Sequence, residues 1–279
     1  MFLVPFLILV MALTDIVGCH FAGLHFTGFA RPFLIGLVSA PIAIFYSFLR
    51  PSKIIVEAIL YVQAWILFSL LGSIQTYLVC TVGWPTIDKT LITLDRLAGF
   101  NWTVFFDFVR SHSILYNFLA LFYGTLLVQI VINILIFSFY GDQIRNKRML
   151  LSAILSIFIS SFIVMAYPSL GPFYAFGYYS KDVPGSEYVY TFLALRDSVA
   201  PHTFSLDHME GLYSFPSYHI VLAIIFTYYN RGLRSFYPFA VVNCIMAIST
   251  IPIGGHYLMD ILSGALVACM AIPLANKLA

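Results

Sequence analysis

Residues 114–139 read ILYNFLALFYGTLLVQIVINILIFSF, a stretch with no charged side chain anywhere in it. Crossing the hydrocarbon of a bilayer as a helix takes about 20 predominantly apolar residues. The run is long and does not alternate polar with apolar, so it reads as a spanning helix and not as a barrel strand. Seven more stretches of this kind lie at roughly 2–20, 31–49, 54–83, 149–167, 215–230, 236–253 and 257–276. The third in chain order, 54–83, is long enough to tilt or to break near Gly72. The expectation is an all-α fold: a polytopic integral membrane helical bundle with about eight transmembrane helices.

Composition points the same way. Of 279 residues 61% are hydrophobic and 9% charged, with a mean hydropathy of +0.94. Soluble domains run to about 45–50% apolar and about 25% charged. So few charges cannot cover so much apolar surface in water, and lipid must be the solvent for most of it. The first stretch lacks a basic start and a clean small-residue cleavage site, so it reads as a retained span. Asp15 within it calls for a partner inside the bundle. Cys19, Cys80, Cys244 and Cys269 fall in or beside spans with no CxxC or ligand spacing, which excludes a disulfide framework. A net charge of +2 gives no ground for a nucleic-acid partner.

The connections separate by charge. Arg50 and Lys53, then Arg145, Lys147 and Arg148, then Arg231 and Arg234 occupy the second, fourth and sixth, with Lys277 near the C-terminus. Basic residues mark cytoplasmic loops. The opposite side carries two longer segments, 84–113 and 168–214, with Asp88, Asp95, Asp107, Asp182, Glu187, Asp197, Asp207 and Glu210. Both termini then lie in the cytoplasm; Arg31 is the basic residue that runs against this. In 84–113 aromatics mix with charges and the apolar residues recur at roughly helical spacing, which suits an interfacial helix on the outer leaflet, the alternative being a solvated loop with one short helix. Tyr167, Tyr174, Tyr178, Tyr179, Tyr188 and Tyr190 read as an interfacial belt. With no repeat or linker the chain is one domain, divisible loosely into N-terminal spans and interfacial segment (1–113) and a catalytic bundle (114–279).

Polar groups concentrate in three places that this sidedness brings to the outer face. They are Tyr213-Ser214-Phe215-Pro216-Ser217-Tyr218-His219, Gly254-Gly255-His256-Tyr257-Leu258-Met259-Asp260, and Tyr167-Pro168-Ser169-Leu170-Gly171-Pro172. Pro216 suits the first turn of a helix with Ser214 or Phe215 near its cap. The free N–H groups near Ser217, Tyr218 and His219 then form an anion cradle. His219 projects from that turn and can protonate a leaving oxygen. His256 and Asp260 are four apart and share a helix face. A carboxylate there fixes the imidazole tautomer and leaves the other nitrogen basic, the orienter and nucleophile of a triad. Gly254 and Gly255 keep the approach to His256 open. Either His alone reads first as a capping or interfacial residue. Convergence of all three ionisable groups at a membrane rim marks a site. A metal held by His219, His256 and Asp260 is the other chemical reading. No fourth ligand accompanies them, so neither metal nor cofactor is expected.

Phe215 to His219 resembles the FPSxH signature, and His256 to Asp260 the HYxxD signature, of the type 2 phosphatidic acid phosphatase superfamily, the lipid phosphate phosphatases. The small-residue run Leu262-Ser263-Gly264-Ala265 follows. The pattern looks closest to the branch with the fungal inositol phosphorylceramide synthase catalytic subunit and its bacterial relatives. The resemblance is clear from Tyr167 to Ala265. It implies a six-helix phosphatase-type core, His256 as the nucleophile that forms a phosphohistidine, Asp260 as its orienter and His219 as general acid and base. It implies Ser217 and the N–H groups near Tyr218 as phosphoryl binders, and a lipid phosphate and the surrounding membrane lipids as partners. The chain departs from the family at two points. Thr250 stands where the phosphatases have an arginine ahead of the His, and their Lys and Arg-Pro signature has no counterpart. Arg196 is the best substitute as a phosphate-binding cation, Lys181 and His202 weaker ones; the alternative for Arg196 is an ion pair with Asp197 or Glu187. Fewer cations shift weight toward a diester-like lipid or toward transfer to another alcohol. Hydrolysis stays narrowly first, and a non-catalytic transporter or scaffold is the reading from another class.

Overall fold

The computed structural model describes residues 3–28, 30–180, 182–196 and 202–279, without the side chains of 30–33, 35 and 36. Lys181, Asp197 and the side chain of Arg31 therefore lie outside the described residues. The helices are α1 (Leu3–Ala22), α2 (Ala30–Phe48), α3 (Lys53–Cys80), α4 (Asp88–Leu97), α5 (Trp102–Ser111), α6 (Ser113–Tyr123), α7 (Leu126–Phe139) and α8 (Gln143–Ala166). The single turn α9 (Pro172–Ala175) and α10 (Tyr188–Arg196) precede α11 (Tyr218–Tyr229), α12 (Phe236–Gly254) and α13 (Leu258–Leu278). Two short strands, β1 (Leu24–Thr27) and β2 (His202–Ser205), pair in parallel.

All eight apolar stretches are helical, but among the described residues the helices long and apolar enough to cross number five to six. α1, α3, α8, α12 and α13 are each long and apolar enough, and α6 with α7 makes a sixth if counted as one span. The remaining two offer shorter apolar helices, Leu37–Phe48 and Tyr218–Tyr229. α11 is short because Phe215, Pro216 and Ser217 stay outside the helix. Of the two readings for 54–83, a tilt or a break near Gly72, the break does not occur: α3 runs unbroken from Lys53 to Cys80, and a Cβ at Gly72 would meet Met11 at an ordinary 3.6 Å. The bend falls instead at Gly124–Thr125, where α6 and α7 meet at 43°.

The bundle is apolar outside as well as inside, as lipid requires. On α13, Leu262, Leu266 and Met270 are exposed at helical spacing, while Gly264, Val267, Ala268, Ala271 and Ala275 face inward. α8 is the central helix. It buries Ser152, Ser156 and Ser160 completely, and such small side chains let helices approach closely. Its N-cap Asp142 accepts from Arg145 N (3.2 Å), and Arg145 Nη1 donates to the carbonyls of Tyr229 and Arg231 (2.7 and 2.8 Å). The basic connections therefore gather at the end of α11 opposite His219. Asp15 does not find the partner expected for it: it is 2% exposed, and neither oxygen is hydrogen-bonded among the described residues.

The 84–113 segment is neither one interfacial helix nor a loop but two amphipathic helices. α4 buries Asp88, Leu91 and Asp95; α5 buries Trp102, Phe106 and Val109. Both pack on the bundle end that carries His256, and Trp102 Nε1 reaches the carbonyl of Ile251 in α12 (3.3 Å).

Candidate active site

His256 sits between α12 and α13 because α12 must stop there. Gly255 caps it in the left-handed conformation (φ +62°), and a Cβ at that position would meet the Phe173 ring at 2.5 Å. The chain turns, α13 starts at Leu258, and Asp260 in its first turn accepts from the Tyr257 N–H (2.8 Å). Asp260 is fully buried and His256 is 5% exposed.

Nδ1 of His256 lies 2.9 Å from the Ser214 carbonyl oxygen and 3.3 Å from Oδ2 of Asp260. A carbonyl can only accept, so Nδ1 carries the proton and Nε2 the lone pair. The Ser214 hydroxyl donates to the same Asp260 oxygen. Nε2 faces the Ser217 hydroxyl at 3.3 Å, at the start of α11.

That start differs from the expected one. Ser217 is the N-cap, with extended backbone (φ −66°, ψ 111°), and Pro216 precedes the helix instead of opening its first turn. The Ser217 N–H is not free for an anion, because it donates to the Asp260 carbonyl (3.0 Å) and ties α11 to α13. The cradle moves one residue on, to the N–H groups of Tyr218, His219 and Ile220, which a helix start leaves without intrahelical partners. The Tyr218 hydroxyl points away, donating to the Ala153 carbonyl of α8 (2.8 Å). His219 stacks on Tyr123 (4.3 Å between ring centres, 22°) and lies 6.4 Å from the His256 ring, edge to face. Gly264 makes the α11–α13 approach possible, since a Cβ there would sit 2.4 Å from the Ser217 carbonyl.

Two carboxylates not assigned a role from sequence support this cluster from α4. Asp95 accepts from the N–H groups of Leu258 (2.9 Å) and Met259 (3.0 Å), capping α13 from outside. Burial raises its carboxyl above the ordinary value, and the two amide donors pull it back. Asp88 accepts from Ser169 Oγ (2.8 Å), Gly171 N (2.9 Å), Leu170 N (3.2 Å) and Tyr257 Oη (3.2 Å). It thereby holds the turn after α8 against the His256 segment. Their place in a charged, aromatic segment was the only sign of them in the sequence.

Arg196 does not join the cluster. Its guanidinium donates to the carbonyls of Val82 (2.9 Å) and Trp84, beyond the end of α3, and lies over the Phe192 ring. His202 is likewise elsewhere, on β2, its N–H donating to the Gly23 carbonyl (3.2 Å). Among the described residues no three His, Cys, Asp or Glu converge closely enough to ligate one ion.

His256, His219, Ser214 and Tyr218 line a cavity of about 580 Å³ enclosed by α3, α6, α7, α11 and the 184–188 and 209–214 segments. None of its described wall residues is Lys or Arg, and two are acids, Glu187 and Glu210. Glu187 accepts from Gly185 N (2.7 Å) and Glu210 from Thr191 Oγ1 (2.7 Å).

The family model described as the PAP2 superfamily matches residues 89–274. Among the curated proteins and the solved structures, nothing matches the chain.

Proposed function

The chain belongs to the PAP2 superfamily, whose model takes in two thirds of it, and from that premise we propose a membrane-embedded enzyme that moves a phosphoryl group of a lipid phosphate through a phosphohistidine at His256. Membership and apolar helices make it an integral membrane protein of phosphatase type. The observation that carries the mechanism is the His256 tautomer set by the Ser214 carbonyl, with Nε2 directed at the Ser217 hydroxyl at the start of α11.

In the first half-reaction Nε2 attacks phosphorus. The N–P bond forms as the P–O bond to the lipid alcohol breaks, and protonated His219 gives its proton to the leaving oxygen. In the second, an acceptor O–H passes its proton to His219 while its oxygen bonds phosphorus and the N–P bond breaks. Ser217 and the first N–H groups of α11 hold the phosphoryl oxygens, and such fixed donors are commonly the largest electrostatic contribution. Asp260 keeps the ring in place. The basic connections at the opposite end support, by the positive-inside rule, a site on the non-cytoplasmic face.

Water is the acceptor in the first reading, which makes the protein a lipid phosphate phosphatase. One observation favours the second, a phosphotransferase of the inositol phosphorylceramide synthase type: the cavity wall offers no described cation to a dianionic monoester and presents two carboxylates. Purified protein is incubated with labelled phosphatidic acid and with labelled phosphodiester lipids, each with and without an alcohol acceptor. Without acceptor, free phosphate from phosphatidic acid or a free phosphorylated headgroup from the diester supports hydrolysis; product formed only with acceptor establishes transfer. Activity surviving in His256→Ala overturns both.

A further inference from the structure

The cavity around the two histidines does not end at them. A second hollow of about 320 Å³ lies between α3 and α7, and the two share Trp65, Ser69, Ser73, Leu127, Ile130 and Met209 as walls. The rest of the second hollow is apolar: Val62, Ile66, Leu70, Val131, Ile134 and Leu206. Ligand pockets commonly run to about 300–1,000 Å³, so each of the two is of ligand size.

The slot has a direction and an opening. Leu127 and Val131 on its α7 rim are 68% and 45% exposed, on an exterior that faces lipid. Along α3 it extends from Ser73, at the level of the site, to Val62, eleven residues deeper. At 1.5 Å per residue that is about 16 Å. The hydrocarbon core is about 30 Å thick, so the slot is about one leaflet deep. Two α3 hydroxyls on and near this wall are turned to their own helix: Ser73 Oγ donates to the Ser69 carbonyl (2.8 Å) and Thr76 Oγ1 to that of Ser73 (2.7 Å). At the site end of α3, Ser73 and Thr76 are thus satisfied within the helix, and the deeper wall is hydrocarbon apart from the indole of Trp65.

We infer that this slot between α3 and α7 holds an alkyl chain of the lipid whose phosphate reaches His256, admitted sideways from the leaflet. It rests on the proposed reaction and specifies its substrate class as a long-chain lipid ester, not a water-soluble phosphate. α3 lies outside the residues matched by the family model, so one wall of the chain-binding site comes from a part of the protein that the match does not reach.

Ile66→Trp and Val131→Trp, which touch only the deep slot, are tested in full-length protein in lipid nanodiscs with dioleoyl and dihexanoyl phosphatidic acid. The expected result is a fall in kcat/KM of about tenfold or more on the dioleoyl lipid with the dihexanoyl lipid unaffected. Equal loss on both, or no loss on either, overturns the slot. A binding readout separates this from failure of the reaction itself: His256→Ala is photolabelled with phosphatidic acid carrying a diazirine in its chain. Label on residues 62–73 and 127–134 supports the slot even where the wild type turns over neither lipid; label confined elsewhere overturns it. Ile66→Ala and Val131→Ala, which only widen the slot, stand in should a tryptophan variant fail to fold, and should move the preference toward longer chains.

Discussion

The main-chain carbonyl of Ser214 approaches Nδ1 of His256 more closely, at 2.9 Å, than the Asp260 carboxylate does at 3.3 Å. A carbonyl cannot turn donor when a neighbour is mutated, so the tautomer that leaves Nε2 free has a guarantor in the backbone. In a serine-protease triad, Asp to Asn costs about 10⁴ in kcat because the imidazole adopts the wrong tautomer. Here Asp260→Asn is expected to cost only about 10²-fold in single-turnover phosphoryl transfer, the size of one lost electrostatic contact. His256→Ala should remove activity entirely. A loss of about 10⁴ in Asp260→Asn would show that the carboxylate, not the carbonyl, sets the tautomer.

His219 is oriented by Tyr123, on which its ring lies at 4.3 Å just before the α6–α7 bend. Tyr123→Phe keeps the stacked face and should retain kcat. Tyr123→Ala frees the imidazole to rotate and should lower kcat by about 10–100-fold, the lower part of what positioned proton transfer contributes. Comparable kcat in the two variants would sever the link between stacking and proton transfer.

The His–His–Asp cluster could be read from sequence because its information is local. His256 and Asp260 are four residues apart in one short motif, and His219 follows the Phe-Pro-Ser run. The helix face expected to join the first pair is replaced by a turn, since His256 stands in the connection before α13 and only Asp260 lies in its first turn. What could not be read depends on contacts between distant segments. The Ser214 carbonyl is main chain and leaves no trace in residue type. Asp95 lies 163 residues before the helix it caps and stands in the sequence as one more charge of a rim segment. β1 meets β2 across a separation of 178 residues, and four-residue strands carry too little alternation to be seen. Arg196 was chosen by sign and side of the membrane, but neither says where a guanidinium points, and unpaired carbonyls beyond α3 were nearer. The bend at Gly124 was missed because apolar periodicity continues through it.

Gly264 separates α13 from the Ser217 carbonyl by the width of a missing methyl group. Gly264→Ala must push the helices apart or move Ser217, the residue facing Nε2. Overpacking of this kind costs about 1–3 kcal/mol. Both the thermal midpoint in detergent and kcat should fall. Unchanged kcat with a lowered midpoint would mean that the spacing of α11 and α13 matters for stability alone.

Asp95→Ala removes the acceptor for two N–H groups at the buried start of α13, and loss of a helix cap costs about 0.5–2 kcal/mol. Because those groups lead directly into Asp260, kcat should fall while KM for the lipid holds. Leu258 N and Met259 N use different oxygens of Asp95, so Asp95→Asn keeps one acceptor, sets an amide donor against the other N–H, and should recover only part of the losses. Full recovery in Asp95→Asn would show that one of the two hydrogen bonds suffices.

Arg196 gives the sharpest contrast between charge read from sequence and geometry. Its guanidinium ties α10 to the carbonyls of Val82 and Trp84 and lies outside the cavity wall. Arg196→Ala should leave those carbonyls unpaired at a part-buried site, at a cost of about 1–2 kcal/mol. KM for the lipid phosphate should stay within about twofold of wild type, because a direct phosphate contact is worth about 1.5–3 kcal/mol and its loss would raise KM by more than tenfold. Thermal unfolding and steady-state kinetics on the same preparation give both numbers. A stable protein with a strongly raised KM would return Arg196 to the site and require α10 to move when the lipid binds.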